Sequence, residues 1–245
     1  MMPRLFIAGG DFLNEVCLID KEKIHYLKDV LRLKEGDSLY LLDGKGNEYL
    51  CRITRLTRNE IICKIEQKKQ GFFEGIFLAV ACAIPKKNIF DEIVDKLTQL
   101  GVDEIFPIIT ERTQKDLSTK SVNLRQARWK RISLAASQQA QRLKLPKIGE
   151  VKGFKDFFSQ ALDYELKLIP TLSCETITLK KVLEENKTSK RILVLVGPEG
   201  DFSSKEVAMA KEKGFIPVSL GSFVLRVETA AVAISSFIRL YYEKY

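Results

Sequence analysis

The 245-residue chain is 45% hydrophobic and 29% charged, which is enough apolar material for one large domain or two smaller ones. No apolar run approaches the ~18 residues of a membrane span, and Asp11 interrupts the N-terminal MMPRLFIAGGDF too early for a secretory signal, so a cytoplasmic protein without membrane attachment is expected. The five cysteines show no CxxC spacing, which argues against a disulfide framework and against a metal site.

The first 70 residues have the pattern of a small antiparallel β domain. Apolar and charged residues alternate in SLYLLD, EYLCRITRL and EIICKIEQ, and the turn GKGN (44–47) joins the first two segments as a hairpin. The preceding HYLKDVLRLKEGD is helix-like and ends in a turn at Gly36. It contains the only histidine, His25, to which we assign a structural role, with RNA contact as the alternative. It also contains Arg32, for which RNA contact and a plain surface charge are equally favoured.

The pattern changes near residue 75. The continuous apolar run GIFLAVACAIP is typical of a strand buried on both faces, and the apolar residues of NIFDEIVDKLTQLG follow at helical spacing. Strand then alternates with helix along the rest of the chain, which predicts a parallel sheet covered by helices. The change at KKQGFFEG (68–75) predicts two domains, residues 1–70 and residues 75–245.

The net charge of +8 is concentrated in one segment. Ten basic residues lie between Arg112 and Lys147 against a single acid, Asp116. Because arginine suits phosphate groups and Trp129 lies among these arginines, the segment is interpreted as a nucleic-acid contact, with a solvated helix face as the alternative. The residues predicted to contact RNA are Arg32, Arg112, Arg125, Arg128, Arg131 and Arg142.

Two glycine-marked loops carry most of the functional information. VGPEGDFS (196–203) and LGSFVLRVETA (220–230) each follow an apolar strand-like segment and precede a helix, so they are expected to form a ligand pocket at strand ends. Ser203 and Glu206 predict a capping box at the start of the helix between them, which ends at Gly214.

The absence of several common motifs restricts the class of ligand that the loops could bind. GxxxxGK[ST], GxGxxG and GxSxG do not occur, which weakens nucleotide hydrolysis, dinucleotide binding and serine hydrolase chemistry. A helix start often binds phosphate, but Glu199 and Asp201 in the first loop would repel it. The loop therefore suits a neutral or cationic ligand.

The two loop sequences resemble the signature of the bacterial ribosomal RNA small subunit methyltransferase E family, SPOUT enzymes that methylate a uridine of 16S ribosomal RNA at ring nitrogen 3. Three further segments support the resemblance. HYLKDVLRLKEGD resembles the family's PUA-like N-terminal β-barrel, DKLTQLGVDEIFPIITERT its first strand-helix-strand region, and QQAQRLKLPKI its basic helix. The resemblance covers nearly the whole chain in the right order.

The resemblance implies an α/β protein with an RNA-binding PUA-like antiparallel β-barrel followed by a SPOUT domain with a parallel sheet and a deep trefoil knot, a feature that periodicity would not suggest. It also implies S-adenosylmethionine as cofactor, ribosomal RNA within the small ribosomal subunit as substrate, and a homodimer. No metal ion is expected. Carried over onto this sequence, the cofactor-binding residues are Thr171, Leu172, Val196, Gly197, Gly200, Leu220, Gly221, Leu225 and Thr229.

Several positions depart from the family pattern. Asp201 stands where a second glycine is usual, and Val227 where a threonine is usual. Gln99, Ala135 and Gln138 replace acidic residues, which puts any role of those acids in doubt. Asp201 is expected to narrow the freedom of the backbone beside the cofactor.

The chemistry of methyl transfer suggests roles for the polar residues of the second loop. The ring nitrogen must lose its proton and align with the methyl group, and the target uridine must be unpaired or turned out of its helix. Arg226 is assigned the stabilisation of the uridine anion, and an ion pair with Glu228 or Glu199 is the alternative. Glu228 and Thr229 are interpreted as organisers of the loop and as candidates for the base, and Glu228 is the second catalytic candidate.

Two other functions stay open. A related methyltransferase acting on the ribose of transfer RNA would share the general design, although the GPEG and LRVETA segments favour the ribosomal enzyme. A non-catalytic ribosome-associated RNA-binding protein is compatible with the departures at Asp201 and Val227.

Overall fold

The computed structural model describes residues 2–7, 15–18, 20–71, 75–113 and 119–243. These residues form two compact units. The first unit comprises the described parts of Met1–Phe73 and Ser137–Leu145, and the second comprises those of Glu74–Ala136 and Pro146–Tyr245. The predicted domains, 1–70 and 75–245, differ from these units at residues 137–145, which the prediction assigned to the second domain and the structure assigns to the first unit. Residues 72–74 of the predicted boundary lie outside the described residues.

The first unit contains one five-stranded sheet. Its strands are β1 (Arg4–Phe6), β2 (Glu15–Leu18), β3 (Ser38–Leu42), β4 (Asn47–Leu56) and β5 (Ile61–Gln70), and the helix α1 (Lys21–His25) continues into a π-helical turn at Tyr26–Val30. The strand order is β1-β3-β4-β5-β2. The predicted antiparallel pairing is confirmed for β3 with β4, β4 with β5 and β2 with β5, but β1 pairs with β3 in parallel.

The predicted hairpin between β3 and β4 is confirmed, and Asp43 stabilises its turn. The Asp43 carboxylate accepts hydrogen bonds from the backbone N–H groups of Lys45 (2.7 Å) and Asn47 (3.1 Å), and one from the Asn47 side chain. Gly44 and Gly46 have φ angles of 71° and 108°, which the tight turn requires and other residues rarely adopt. Partial burial raises the pKa of Asp43, but these hydrogen bonds outweigh it and lower the pKa below its ordinary value.

The second unit alternates strands and helices around a parallel sheet, as predicted. The sheet order is β11-β13-β10-β12-β6-β7-β8, and β9 also pairs with β7. The elements are β6 (Phe77–Ala83), α2 (Ile89–Gln99), β7 (Glu104–Ile109), α3 (Thr119–Gln139, which ends in the first unit), β8 (Lys147–Ile148), β9 (Lys152–Gly153), α4 (Phe154–Phe157), β10 (Leu166–Pro170), β11 (Ile177–Thr178), α5 (Leu179–Glu185), β12 (Arg191–Val196), α6 (Ser204–Glu212), β13 (Ile216–Ser219) and α7 (Val227–Tyr242).

Alternate residues of the central strands face two separate cores. In β6, Leu78 and Val80 belong to a cluster that includes residues of α2, α5 and α7, whereas Ala79 and Ala81 belong to a cluster with residues of α4 and α6. Such a strand is buried on both faces, which explains the unbroken apolar run of its sequence. None of the helices in the described part of the chain is long and apolar enough to cross a membrane.

Candidate functional site

A pocket lies in the second unit where three neighbouring parallel strands end. The loops that follow β10, β12 and β13 form its walls, and it contains about 630 Å³ of space free of protein atoms, part of it open to solvent. The carboxyl ends of parallel strands commonly bind ligands. The lining residues are Pro170, Thr171, Leu172, Val196, Gly197, Pro198, Glu199, Asp201, Val218, Ser219, Leu220, Gly221, Phe223, Val224, Leu225, Val227 and Ala230.

The loop after β12 needs glycine at Gly197 for reasons of space. A Cβ atom at Gly197 would lie 3.0 Å from two ring carbons of Phe202, which is fully buried. The loop then enters α6 through the predicted capping box, which is confirmed. The Ser203 hydroxyl accepts from the backbone N–H of Glu206 (3.3 Å), and the Glu206 carboxylate accepts from the backbone N–H of Ser203 (2.9 Å).

Hydrogen bonds to three neighbouring loops hold the segment 199–201 in place. The Glu199 carboxylate accepts from the backbone N–H of Lys86 (3.0 Å), which follows β6. The Arg112 guanidinium, after β7, donates to the carbonyl oxygen of Gly200. Asp201 contacts the loop that follows β10, where its carboxylate accepts from the Thr171 hydroxyl at 2.8 Å. The loop after β12 is thus bonded to the loops that follow three other strands of the sheet.

The charged groups of the pocket wall are acidic. Glu199 and Asp201 are its only ionisable lining residues among those the structure describes. Burial raises the pKa of the Cys82 thiol, and the carboxylates of Glu199 and Glu228 raise it further, so both glutamates direct negative potential at the end of β6. The electrostatics of the pocket therefore favour a neutral or cationic ligand over a phosphate.

Most residues predicted to bind the cofactor lie in the pocket wall. They are Thr171, Leu172, Val196, Gly197, Leu220, Gly221 and Leu225. The structure places Gly200 beside Arg112 and the exposed Thr229 in the first turn of α7, and neither lines the pocket. Lining a pocket does not by itself show binding, so the cofactor roles of all nine residues remain predictions.

Arg226 lies between two lining residues, Leu225 and Val227, and its side chain is exposed. It is the N-cap residue of α7, with extended backbone angles and no capping hydrogen bond from its side chain. Across the described residues, its guanidinium forms no ion pair or hydrogen bond with Glu228, Glu199 or any other group. The Arg226 cation is thus exposed and unpaired among the described residues, and half-buried Glu228 lies two residues along in α7.

The predicted RNA contacts are divided between the units. Arg32 is exposed in the first unit, with a left-handed backbone (φ 55°), and Arg142 is half-buried there. The other four lie in the second unit. Of these, Arg112 and Arg131 are exposed, Arg125 is half-buried, and Arg128 forms an ion pair with Asp91 at 2.6 Å. Lys115 and Asp116 of the basic segment lie outside the described residues.

Trp129 is buried in a core cluster of the second unit. Its side chain is only 2% exposed, its ring packs against Phe90 with centroids 4.5 Å apart, and its indole N–H donates to Asp91 (3.0 Å). The interpretation of Trp129 as support for nucleic-acid contact is therefore wrong. A single tryptophan among arginines is equally expected where one face of a basic helix is buried.

Sequence reasoning did not identify the contacts that organise the pocket. Ser173 and Phe202 were not candidates, although the first hydrogen-bonds to Asp201 and the second packs behind Gly197. A signal was present, since two hydroxyl residues alternate in TLS (171–173) directly after β10. Within the described residues, no group of three or more His, Cys, Asp or Glu side chains is placed to hold a metal ion.

Comparisons with known proteins agree on the type of domain. A family model for the RNA methyltransferase domain matches residues 75–239, and one for the RNA methyltransferase PUA domain matches residues 19–66. The protein named ribosomal RNA small subunit methyltransferase E from Synechocystis is 30% identical to this chain, and the match covers 94% of this chain and 75% of the relative. The protein of the same name from Aquifex aeolicus is 32% identical, and the match covers 85% of this chain and 88% of the relative.

Solved structures extend the similarity to the fold. The ribosomal RNA small subunit methyltransferase E of Neisseria gonorrhoeae, determined with bound S-adenosylmethionine, superposes with a TM-score of 0.86 at 26% identity. The match covers 98% of both chains. The two units of this chain thus have counterparts in that protein.

Proposed function

The chain belongs to the ribosomal RNA small subunit methyltransferase E family, and on this premise we propose that it transfers a methyl group from S-adenosylmethionine to ribosomal RNA. We further propose uridine ring nitrogen 3 in 16S ribosomal RNA as the position modified. The observation that carries the proposal is the acidic, glycine-walled pocket at the ends of β10, β12 and β13. The proposal includes the deep trefoil knot that the family implies.

The residues of the pocket fit this cofactor. Leu172, Leu220 and Leu225 offer apolar surface for an adenine ring, and Gly197 and Gly221 allow backbone groups to approach a ligand closely. The carboxylate of Glu199 in the pocket wall favours a ligand that carries a positive sulfonium group. When bound, S-adenosylmethionine supplies an electrophilic methyl group.

We assign Arg226 the task of stabilising the uridine after its ring nitrogen has lost a proton. Its exposed cation stands between two residues of the pocket wall, and no described acid neutralises it. A fixed positive charge beside a developing anion lowers the barrier to proton loss without altering the binding of the methyl donor. Glu228 is the candidate to accept the proton, since it is half-buried and one helical position beyond Val227.

Arg226→Ala tests this role. We expect turnover to fall by roughly 10²–10³-fold, as when one electrostatic stabiliser is removed, with the Kd for S-adenosylmethionine changed by less than about 3-fold. Arg226→Lys should recover part of the activity. Lys211→Ala, which removes an exposed charge from α6 outside the pocket, is the matched control. Unchanged turnover in Arg226→Ala would remove Arg226 from the mechanism.

We propose that exposed arginines in each unit bind the RNA backbone. Arg131 in the second unit and Arg32 in the first are exposed, and so is Arg112, although its guanidinium also donates to the carbonyl oxygen of Gly200. Phosphate contacts of this kind position the RNA without reading its sequence. Binding should therefore weaken steeply with salt, and Arg131→Ala should reduce the slope of log K against log salt by about 0.7–1.

Exposed apolar side chains support the homodimer that we propose. Phe223 and Val224, in the loop after β13, are 82% and 79% exposed, and Phe237 and Leu240 on α7 are 42% and 62% exposed. Large apolar side chains that are exposed in a single chain can be covered at an interface between two copies. Sedimentation equilibrium should give a dimer, and Leu240→Glu should shift it towards the monomer.

One assay distinguishes the candidate functions. Purified protein is incubated with methyl-labelled S-adenosylmethionine and, in parallel reactions, with small ribosomal subunits from cells that lack the modification or with unmodified transfer RNA. The labelled nucleoside is identified after digestion. 3-Methyluridine supports the proposal, whereas a 2′-O-methylated nucleoside in transfer RNA would support the ribose enzyme. Cofactor binding without transfer to any RNA would support a non-catalytic binding protein.

A further inference from the structure

Asp201 has a backbone conformation that side chains rarely adopt. Its φ angle is 61°, and its N–H donates to the carbonyl oxygen of Pro198 (2.9 Å), which closes a tight turn in the pocket wall. The left-handed region is open to glycine at little cost, and among other residues Asn and Asp occupy it most readily. A side chain kept at such a position needs contacts that offset the strain.

The carboxylate of Asp201 makes those contacts. One oxygen, Oδ2, accepts hydrogen bonds at 2.8 Å from the Thr171 hydroxyl, the Leu172 backbone N–H and the Ser173 hydroxyl. The other oxygen, Oδ1, accepts from the backbone N–H of Phe202 at 2.8 Å. Ionised acceptors form shorter and stronger hydrogen bonds than neutral ones, so the four contacts together fix the side chain firmly.

These bonds connect two walls of the pocket. Thr171 and Leu172 line it from the loop after β10, and Asp201 lines it from the loop after β12. The strands themselves are neighbours in parallel register, but that pairing ends at Leu168 and Val194, before the loops begin. Past the ends of the paired strands, the Asp201 carboxylate joins the two loops at Thr171 and Leu172, which line the pocket.

We propose that Asp201 is a positioning residue, which holds the β10 and β12 loops in the geometry that binds S-adenosylmethionine. This inference rests on the proposed function for the identity of the ligand. Its four hydrogen bonds direct the carboxylate at the protein, so Asp201 acts through the shape of the walls. Loops held in their binding geometry before the ligand arrives lose less entropy on binding, and affinity rises accordingly.

A charge role makes a different prediction. If the carboxylate instead attracted the sulfonium directly, its removal would weaken binding of cationic S-adenosylmethionine and spare the neutral product S-adenosylhomocysteine. A positioning role weakens binding of both ligands to the same extent. The ratio of the two Kd values therefore distinguishes the roles.

The experiment measures both Kd values by calorimetry on the full-length wild-type protein and on Asp201→Gly, Asp201→Asn and Ser173→Ala. Asp201→Gly retains the backbone conformation and removes the carboxylate, and we expect roughly 10–100-fold weaker binding of both ligands. Asp201→Asn retains one acceptor oxygen and tolerates the left-handed backbone, so it should recover part of the affinity. Thermal unfolding without ligand shows whether each variant folds.

Ser173 provides an independent arm, because its hydroxyl bonds to Asp201 while the residue does not line the pocket. Ser173→Ala should weaken binding by about 3–10-fold in the wild-type background and have little further effect combined with Asp201→Gly. This arm tests the inference even if Asp201→Gly fails to fold.

The outcomes separate the inference from the proposed function. Wild-type protein that binds neither ligand would overturn the proposed function. Wild-type binding that Asp201→Gly and Ser173→Ala leave unchanged would overturn only the positioning role. A loss confined to S-adenosylmethionine would also overturn it, in favour of direct attraction by the charge.

Discussion

Replacing Gly197 with alanine tests whether close packing behind the pocket determines both stability and cofactor binding. Gly197 lines the pocket and has an ordinary backbone conformation, so alanine adds no torsional strain. The added Cβ would instead lie 3.0 Å from Cδ2 and Cε2 of Phe202 and 3.3 Å from its backbone nitrogen. Phe202 cannot retreat freely, because it is fully buried and its ring packs against Phe154 at 5.6 Å.

The expected cost follows from this geometry. Inserting a methyl group into a close-packed site costs about 1–3 kcal/mol, and the lower entropy of the unfolded alanine chain returns about 0.4–1 kcal/mol. The free energy of unfolding should therefore fall by roughly 1–2 kcal/mol, which corresponds to a fall in Tm of about 2–8 °C for a protein of this size. Any movement of Phe202 also displaces the 197–203 loop, so affinity for S-adenosylmethionine should fall by at least about 10-fold, the equivalent of ~1.4 kcal/mol.

The assay combines urea denaturation with calorimetric titration of S-adenosylmethionine. Gly214→Ala is the matched control, because Gly214 lies outside the pocket, has a φ angle of 82°, and would place an added Cβ with no atom within 4 Å, so its cost is backbone strain alone. It should lose stability to a similar extent and bind the cofactor normally. Gly197→Ala combined with Phe202→Leu should regain part of the affinity, since the smaller side chain relieves the contact.

Two results would refute this reasoning. Gly197→Ala with wild-type stability and affinity would show that the loop absorbs the methyl group. An equal loss of cofactor affinity in Gly214→Ala would show that the effect is general destabilisation and not local crowding.

Two further predictions concern the core and the first unit. Trp129→Phe should lower the free energy of unfolding by about 1–3 kcal/mol, because the hydrogen bond to Asp91 and part of the buried side-chain volume are lost. RNA affinity at fixed salt should stay unchanged. Weaker RNA binding in a fully folded variant would contradict the buried placement of the ring. Because folding lowers the pKa of Asp43, the ionised side chain adds to the free energy of unfolding, and this contribution is fully present above the ordinary Asp pKa of about 3.9. It is lost as the pH falls through the lower pKa of the folded state. The urea midpoint of the first unit should therefore drop below about pH 4. Asp43→Asn should show a smaller drop over the same pH range, and an identical pH profile would rule out this contribution.

Periodicity was sufficient to predict the longer strands and helices, whereas the short elements β1, β2, β8, β9, β11 and α4 were not predicted. The alternation in β4 follows from a sheet with one buried face, and the unbroken apolar run of β6 follows from helices on both faces. The capping box at Ser203 and Glu206 was also readable, because it depends on residues three positions apart. Local patterns of this kind are complete within a few residues of sequence.

Long-range contacts could not be read in the same way. The parallel pairing of β1 with β3 joins residues about 36 positions apart, such as Arg4 and Tyr40, and depends on the path of the chain between them. The burial of Trp129 depends on Phe90 and Asp91, which lie in another helix. A basic helix shows in sequence only that it is charged, and the packing partners decide which face is covered.

The sequence by itself determined that this chain has a small β unit, a parallel α/β unit and two glycine-marked loops, because these features depend on residue type and short-range spacing. Only the tertiary structure decided which contacts hold the walls of the pocket together. Asp201 lies 28 residues from Ser173, and the carboxylate can bond the β10 loop only because β10 and β12 are adjacent in the sheet. Strand order is set by the packing of the whole unit, so the contacts of Asp201 that join the two pocket loops became visible only when the strands were placed side by side.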